Sequence, residues 1–306
     1  MNKLVFDVGG TAIKYAIMNE KAEIEEKGNF PTPMIDQPTF IDSLVDIYEK
    51  YMDQVDGIAM SLPGRINSDI GYVHTPGALI YNNETHLSHR IAGQIKNRTG
   101  REIRISIEND GKAAALAEAW KGNLADVDDG VVIVLGTGIG GGIIHDKKIL
   151  KGKDFFAGEF SFIMTDLRLK GMGNAFANVS SAHALTSGVA RKKGLDPESV
   201  DGFQTFEWIQ NGDEEAIEVF EEVCNAIGGL IYNLTATLNP EKILIGGGIS
   251  KQPIVVERIR EKADEYFDQI KKIGMEMPRP KIDVCRFNND SNLIGALYNY
   301  NLVYGE

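Results

Sequence analysis

Cysteine is nearly missing from this sequence, and the two that occur, Cys224 and Cys285, lie far apart without C-x-x-C spacing. Neither a disulfide framework nor a cysteine zinc site is therefore expected, and a reducing, cytoplasmic setting is the natural reading. Positive charge is in short supply as well: 32 Lys and Arg face 44 Asp and Glu, for a formal net charge of -12. Nucleic-acid phosphates and anionic membrane surfaces recruit a local excess of Lys and Arg, so neither is an expected partner. Long apolar runs are also lacking. None approaches the roughly 18 residues of a membrane span, and residues 1–7 enter a strand-like segment without the apolar stretch of a signal peptide. No low-complexity linker interrupts the chain.

What is there is a chain of 306 residues, 43% of them hydrophobic, enough to build two packed lobes rather than one. Segments 4–8, 12–18 and 22–30 read as an antiparallel meander, with Gly9-Gly10-Thr11 in its first turn. A helical period follows over 40–52, then strands over 56–62 and 102–107, the latter running into Asn109-Asp110 and an alanine-rich helix to about 120. The pattern restarts with strands over 130–135 and 139–144, again split by a glycine-threonine turn. Helices over 180–193 and 214–238, a strand over 242–245, a helix over 254–270, a strand over 281–285 and a helix over 292–303 complete the chain. Two such meanders, each followed by helices, predict two related α/β lobes facing one another.

Four segments carry chemistry. Asp7-Val8-Gly9-Gly10-Thr11-Ala12-Ile13-Lys14 is a tight hairpin whose glycines permit positive φ and a close approach of backbone N–H groups to an anion. Asp7 would repel a phosphate there unless a cation intervened, which makes it a candidate Mg²⁺ holder, through water; a plain β-turn with an Asx interaction is the other reading. Leu135 to Gly142 is too glycine-dense for an economical hairpin, ends in no Gly-Lys-Ser/Thr, and is followed by strand, so it is neither a Walker A loop nor a dinucleotide fingerprint. It suits either close approach to a ligand or a structural role. Ile245-Gly246-Gly247-Gly248-Ile249-Ser250 lies at a strand end, where open α/β folds place ligands and where a plain strand-to-helix turn serves as well. Glu108-Asn109-Asp110 opens the alanine-rich helix. Such residues are ordinarily N-caps, yet a carboxylate between two phosphate loops can also accept the proton of an attacking hydroxyl.

Taken together, these residues resemble the ROK family, a bacterial group of repressors and sugar kinases, over essentially the whole chain. Asp7 to Lys14 is similar to that family's first phosphate motif, Gly136 to Gly142 to its second, Gly246-Gly247-Gly248 to its adenosine motif, and Glu108-Asn109-Asp110 to its catalytic segment. The resemblance implies an α/β actin-like ATPase (ribonuclease H-like) fold, duplicated into two lobes with an interlobe cleft. The smaller lobe would take 1–112 with about 290–306, and the larger 113–289. It further implies ATP and Mg²⁺ as cofactors, a sugar substrate and a homodimer. Nucleotide contacts would come from Val5, Phe6, Asp7, Val8, Gly9, Gly10, Thr11, Lys14, Gly136, Thr137, Gly138, Gly140, Gly247 and Gly248, and sugar contacts from Gly64, Asn109, Asp110, Glu159 and Phe162. Asp110 would be the base in an in-line transfer of the γ-phosphoryl group, with lobe closure excluding water. Because the phosphate hairpin starts at once, the helix-turn-helix of the repressor branch is not expected.

Two departures bear on the acceptor. The family's glucokinases carry a Glu-x-Gly-His motif, whereas this chain reads Gly158-Glu159-Phe160-Ser161-Phe162, and the cysteine-rich zinc motif gives way to 170–178, which holds no thiolate. No zinc site is expected. Phe162 offers an apolar face where a free sugar needs a polar contact, unless it only packs in the core. That pattern resembles the family's β-glucoside kinases, which phosphorylate the 6-hydroxyl of the non-reducing glucose of cellobiose and similar compounds. A kinase for free glucose or N-acetylmannosamine, and a sugar-binding regulator without catalysis, are the competing expectations.

Overall fold

The structure, a computed structural model, describes residues 1–305. Packing divides the chain into two compact units: Met1–Gly122 with Ile149–Ala157 and the residues from Asn289 onward, and Asn123–Lys148 with Gly158–Asn288. The sequence placed a boundary at 112/113. Packing instead keeps the whole alanine-rich helix in the first unit and returns residues 149–157 to it.

The first unit opens with β1 (Asn2–Val8), β2 (Ala12–Met18) and β3 (Ile24–Pro31), joined as antiparallel hairpins. Helix α1 (Gln37–Tyr51) follows, capped by Asp36, whose side chain accepts from the Thr39 amide. Then come β4 (Val55–Leu62), the short hairpin β5 (Arg65–Asn67) and β6 (Tyr72–Thr75), α2 (Leu87–Thr99), β7 (Arg104–Asn109) and α3 (Asp110–Lys121). The sheet order is β3-β2-β1-β4-β7, with β4 parallel to β1 and β7 parallel to β4. Alternation along β1 sends Leu4, Phe6 and Val8 to one face, where they join Phe40, Leu44 and Tyr48 of α1 and Ile91 and Ile95 of α2 in one core. Each such fully buried side chain contributes on the order of 1.5–3 kcal/mol.

The second unit repeats the plan. It holds β8 (Gly130–Leu135), β9 (Ile139–His145), the start of β10 (Lys148–Ile149), helices α4 (Phe176–Ser180), α5 (Ala182–Lys192), α6 (Gly202–Gln210) and α7 (Glu214–Leu238), then β11 (Lys242–Gly247), α8 (Pro253–Lys272) and β12 (Lys281–Val284). Its sheet order, β10-β9-β8-β11-β12, matches that of the first sheet strand for strand, with β8 antiparallel to β9 and parallel to β11. Val131, Ile133 and Leu135 pack with Phe220, Ile227 and Ile231 of α7 and Ile259 and Phe267 of α8. The helix expected over 180–193 is α5, and Ser181, which caps it through the Ala184 amide, separates it from the short α4, which the sequence did not show.

The chain then returns to the first unit as α9 (Ser291–Tyr304). A β-carbon on Gly295 would lie 1.7 Å from the Ala113 carbonyl oxygen, so α9 and α3 touch backbone to backbone. The alanines of α3 thus serve close helix packing. Tyr300 lies across β4, where a β-carbon on Gly57 would meet its hydroxyl at 2.3 Å, and the buried Lys3 ammonium sits under the same ring while pairing with Asp56 at 2.8 Å. Among the described residues, no helix is long and apolar enough to cross a membrane.

Candidate functional site

Asn109 ends β7 and caps α3: its side-chain oxygen accepts from the Lys112 amide at 3.0 Å. The capping role that the sequence left open for Asp110 therefore falls to its neighbour. Asn109 Nδ2 donates to the Gly64 carbonyl oxygen and to Asp110 Oδ1, both at 3.0 Å, and Asp110 Oδ1 also accepts from the Gly111 amide at 2.8 Å. The carboxyl of Asp110 is thus oriented at the first residue of a helix, whose amide dipoles suit a negative charge. Gly64 sits at φ +110, and a β-carbon there would fall 2.0 Å from the Thr75 carbonyl oxygen, so only glycine lets the β5–β6 hairpin close on this turn. Gly64, Asn109 and Asp110, three of the expected sugar contacts, are in this way brought together.

Beneath them Glu108 is fully buried. Its Oε1 accepts from the Asn109 amide at 2.8 Å, while Oε2 makes no hydrogen bond within the protein. Burial pushes its carboxyl above the ordinary carboxylate value; the Asn109 amide and the positive charge of Lys151 act in the opposite direction. The motif reading assigned Glu108 no role, and its burial is not visible in the sequence.

The first glycine turn is built around Asp7, which is 7% exposed. Its Oδ1 accepts from Ser61 Oγ at 2.8 Å and from Asn292 Nδ2 at 2.9 Å, and its Oδ2 lies 3.3 Å from the Lys14 ammonium. Lys14 faces Asp7 directly across the β1–β2 hairpin, and Ser61 faces it across β1–β4. The Gly9 amide closes the turn on the Ala12 carbonyl at 3.1 Å, while Thr32 holds the Gly9 carbonyl through its hydroxyl at 2.7 Å and the Thr11 carbonyl through its amide at 3.0 Å. Neither Gly9 nor Gly10 takes positive φ, contrary to expectation. At Gly9 the value is space, since a β-carbon there would crowd the Ala12 carbonyl at 3.0 Å. Gly10, Thr11 and Lys14 are exposed. Val5, Phe6 and Val8 are buried, so any ligand contact from them is by backbone.

A Mg²⁺ ion would be held by Asp7 through water rather than directly. One carboxylate oxygen is engaged twice and the other faces an ammonium, which leaves no cage of carboxylates, and Mg²⁺ ordinarily keeps several waters and takes one or two carboxylates plus substrate phosphates. Among the described residues, the one group of three clustered metal-type side chains is Asp129, His145 and Asp146, on the surface of the second unit.

In the second unit the Gly136 amide donates to the Gly138 carbonyl, and the Gly136 carbonyl accepts from the amide of Ala182, the first residue of α5, each at 3.0 Å. Thr137 is exposed at the tip, and Gly140 is partly buried. Ser161 Oγ bridges the amide and carbonyl of Ile139 at 2.9 Å each, and a β-carbon on Gly138 would approach it at 3.1 Å. A further glycine, Gly141, is structural: its β-carbon would strike the Val132 carbonyl at 2.2 Å and the Phe160 ring at 2.6 Å. Phe160 is the core aromatic of this stretch. Phe162 is 52% exposed, so core packing does not account for it, and Glu159 beside it is partly buried.

Where the zinc motif is missing, Asn174 closes the loop instead, accepting from Thr165 Oγ1 at 2.6 Å and from the Asp166 amide at 3.1 Å. At the third glycine turn Gly247 takes φ +94 with its β-carbon position 2.1 Å from the Leu135 carbonyl oxygen, whereas Gly248 is exposed and faces open space. Beside it, a cavity of about 420 Å³ is lined by Ser250, Lys251, Glu257, Arg260, Cys285 and Asn288 among others.

Ser61, Thr32, Asn292 and Ser161 hold these turns, and the motifs do not include them. None carries a sequence signal, since Ser61 meets Asp7 only through the β1–β4 register.

Known proteins bear on this arrangement. The chain is 28% identical over 99% of its length to a β-glucoside kinase of Klebsiella pneumoniae, covering 97% of that protein. It is 26% identical over 98% of its length to a β-glucoside kinase of Listeria monocytogenes, again covering 97%. Among solved structures, a candidate N-acetylmannosamine kinase from Listeria monocytogenes superposes with a TM-score of 0.86 at 26% identity, with both chains covered in full. The shared architecture is the actin-like ATPase fold of these sugar kinases. The ROK family matches residues 4–301, nearly the whole chain, and to the ROK family this chain belongs.

Proposed function

We propose that this chain is an ATP-dependent carbohydrate kinase that phosphorylates the 6-hydroxyl of a β-glucoside such as cellobiose. The observation that carries the reading is the Gly64–Asn109–Asp110 arrangement, in which a carboxylate is oriented by two donors beside a turn that only glycine can form. Asn109 and the Gly64 turn hold the sugar, and Asp110 takes the proton of its 6-hydroxyl as the oxygen attacks the γ-phosphorus in line. The P–O bond to the leaving ADP breaks in the same step, so no covalent enzyme intermediate forms. General-base assistance of this kind contributes ~10²–10⁴-fold.

Gly9, Gly10, Thr11 and Lys14 serve the phosphates on the first unit, and Gly136, Thr137, Gly138 and Gly140 on the second. Gly247, Gly248 and the adjoining cavity receive the nucleoside. Asp7 would hold Mg²⁺ through water, and the ion would supply neutralisation of the phosphate charge. Glu159 binds ring hydroxyls, and the exposed Phe162 face meets the apolar side of the sugar, which supports an acceptor other than a free hexose. Two β-glucoside kinases among the relatives support the same acceptor. A cytoplasmic homodimer is part of this reading.

A free hexose is the second acceptor reading, favoured by the structural likeness to the candidate N-acetylmannosamine kinase. An ATP-consumption screen over mono- and disaccharides, with mapping of the phosphorylated position, tests both. Turnover on cellobiose above that on glucose and N-acetylmannosamine supports the proposal; the reverse order replaces the acceptor. No ADP release with any sugar and Mg²⁺ would make the chain a sugar-binding regulator.

A further inference from the structure

The acceptor residues lie beside a line of aromatic contacts that the reaction itself leaves unused. The Thr75 carbonyl abuts Gly64, and the preceding β6 residue, His74, stacks on Phe155 with ring centroids 6.2 Å apart and planes 24° from parallel. Tyr72, two residues back and on the same strand face, packs its ring edge-on to His74 at 4.8 Å and to His86 at 4.7 Å. His86 in turn stacks on His89 at 5.1 Å. His74, Tyr72 and Phe155 are half-buried, so each keeps part of its surface in solvent.

Phe155 is held there by its surroundings. Its φ of +61 is a left-handed conformation that bulky side chains rarely adopt. The segment that carries it, 149–157, comes from a later part of the sequence and is tied to the β5–β6 hairpin by Lys151, whose ammonium lies 2.7 Å from Asp69. Strained backbone of this kind persists where the neighbouring structure imposes it, and it clusters at ligand sites.

These histidines are not among the clustered metal-type side chains of the described residues, so a metal site does not explain them. An apolar protein partner would be poorly matched by rings that carry phenol and imidazole groups. A sugar ring fits: its C–H face lies on an aromatic plane while its hydroxyls meet those polar groups. We propose that His74 and Phe155 form the subsite for the second ring of the acceptor, on the aglycone side of the phosphorylated glucose. This rests on the β-glucoside reading above. It assigns selectivity between acceptors to the first unit, apart from Glu159 and Phe162.

Cellobiose and methyl β-D-glucoside share the ring that is phosphorylated and differ in what would occupy this subsite. The test measures kcat/KM for both with the intact enzyme and with His74→Ala and Phe155→Ala. Comparing the two substrates on one preparation cancels any loss of folded protein. The expected result is a wild-type preference for cellobiose that falls about tenfold in each variant, the scale of a lost aromatic contact. Unchanged ratios in both variants would overturn the subsite and leave the β-glucoside reading standing. A wild-type enzyme that phosphorylates glucose but neither β-glucoside would overturn both.

Discussion

The side-chain amide of Asn109 donates to the Gly64 carbonyl across 3.0 Å, joining the end of β7 to the turn that follows β4. Because the same side chain caps α3 and bonds the Asp110 carboxyl, one asparagine couples the helix start, the Gly64 turn and the Asp110 side chain.

Asn109→Ala should therefore lose two things at once. Removal of the cap costs about 1 kcal/mol, read as a lower denaturant midpoint, and the freed Gly64 turn should raise KM for the sugar. Asn109→Asp retains an oxygen for the Lys112 amide but no donor for Gly64. It should recover most of the midpoint and little of the KM; recovery of both would show that capping alone matters.

Asp110→Asn leaves the helix start intact and removes the proton acceptor. Turnover should fall ~10²–10⁴-fold, with binding of a non-hydrolysable ATP analogue held near the wild-type level. Near-normal kcat would reject Asp110 as the base.

At the third glycine turn, neighbouring glycines should separate structural from ligand effects. Gly247→Ala places a methyl 2.1 Å from the Leu135 carbonyl at a φ of +94, so it should destabilise the second unit strongly. Gly248→Ala enters open space at an exposed position and should leave the melting temperature unchanged while raising KM for ATP. An unaltered KM for ATP in Gly248→Ala would remove that residue from the nucleotide site.

The buried Glu108 should impose a pH dependence on stability. Burial raises its carboxyl above the ordinary 4.5, so the folded state binds the proton more tightly than the unfolded chain. Its contribution is most favourable below that ordinary value and is lost as pH rises through the folded-state value. Each tenfold difference in proton affinity between the folded and unfolded chain is worth about 1.4 kcal/mol. Glu108→Gln keeps an oxygen for the Asn109 amide and does not ionise. Urea unfolding should find the two proteins closely matched at low pH, with the variant gaining relative stability toward pH 8. A difference independent of pH would mean that burial does not raise the Glu108 carboxyl.

Much of this was legible in the chain because it is local. The strands of both meanders alternate or run apolar over six to eight residues, and their glycine turns punctuate them, so β1, β2, β8 and β9 fall where the pattern puts them. Helix α2 did not stand out: its apolar stripe is only Leu87, Ile91 and Ile95, with Gly93 in its interior and polar residues elsewhere. The β5–β6 hairpin, with strands of 3 and 4 residues, is too short for a period to show. It nonetheless closes on the Gly64 turn.

By itself the sequence determined the order of strands, the glycine turns and the Asn109-Asp110 step at a strand-to-helix junction, since each depends on residues adjacent in the chain. Tertiary structure alone decided that Asn109 is the cap, that Phe160 is buried while Phe162 is exposed, and that Gly64 and Gly247 admit no side chain. It also decided that Asp7 is held by Ser61 and Asn292, at sequence separations of 54 and 285. Contacts at such separations follow from strand register and helix packing, which bring together residues that no local pattern relates.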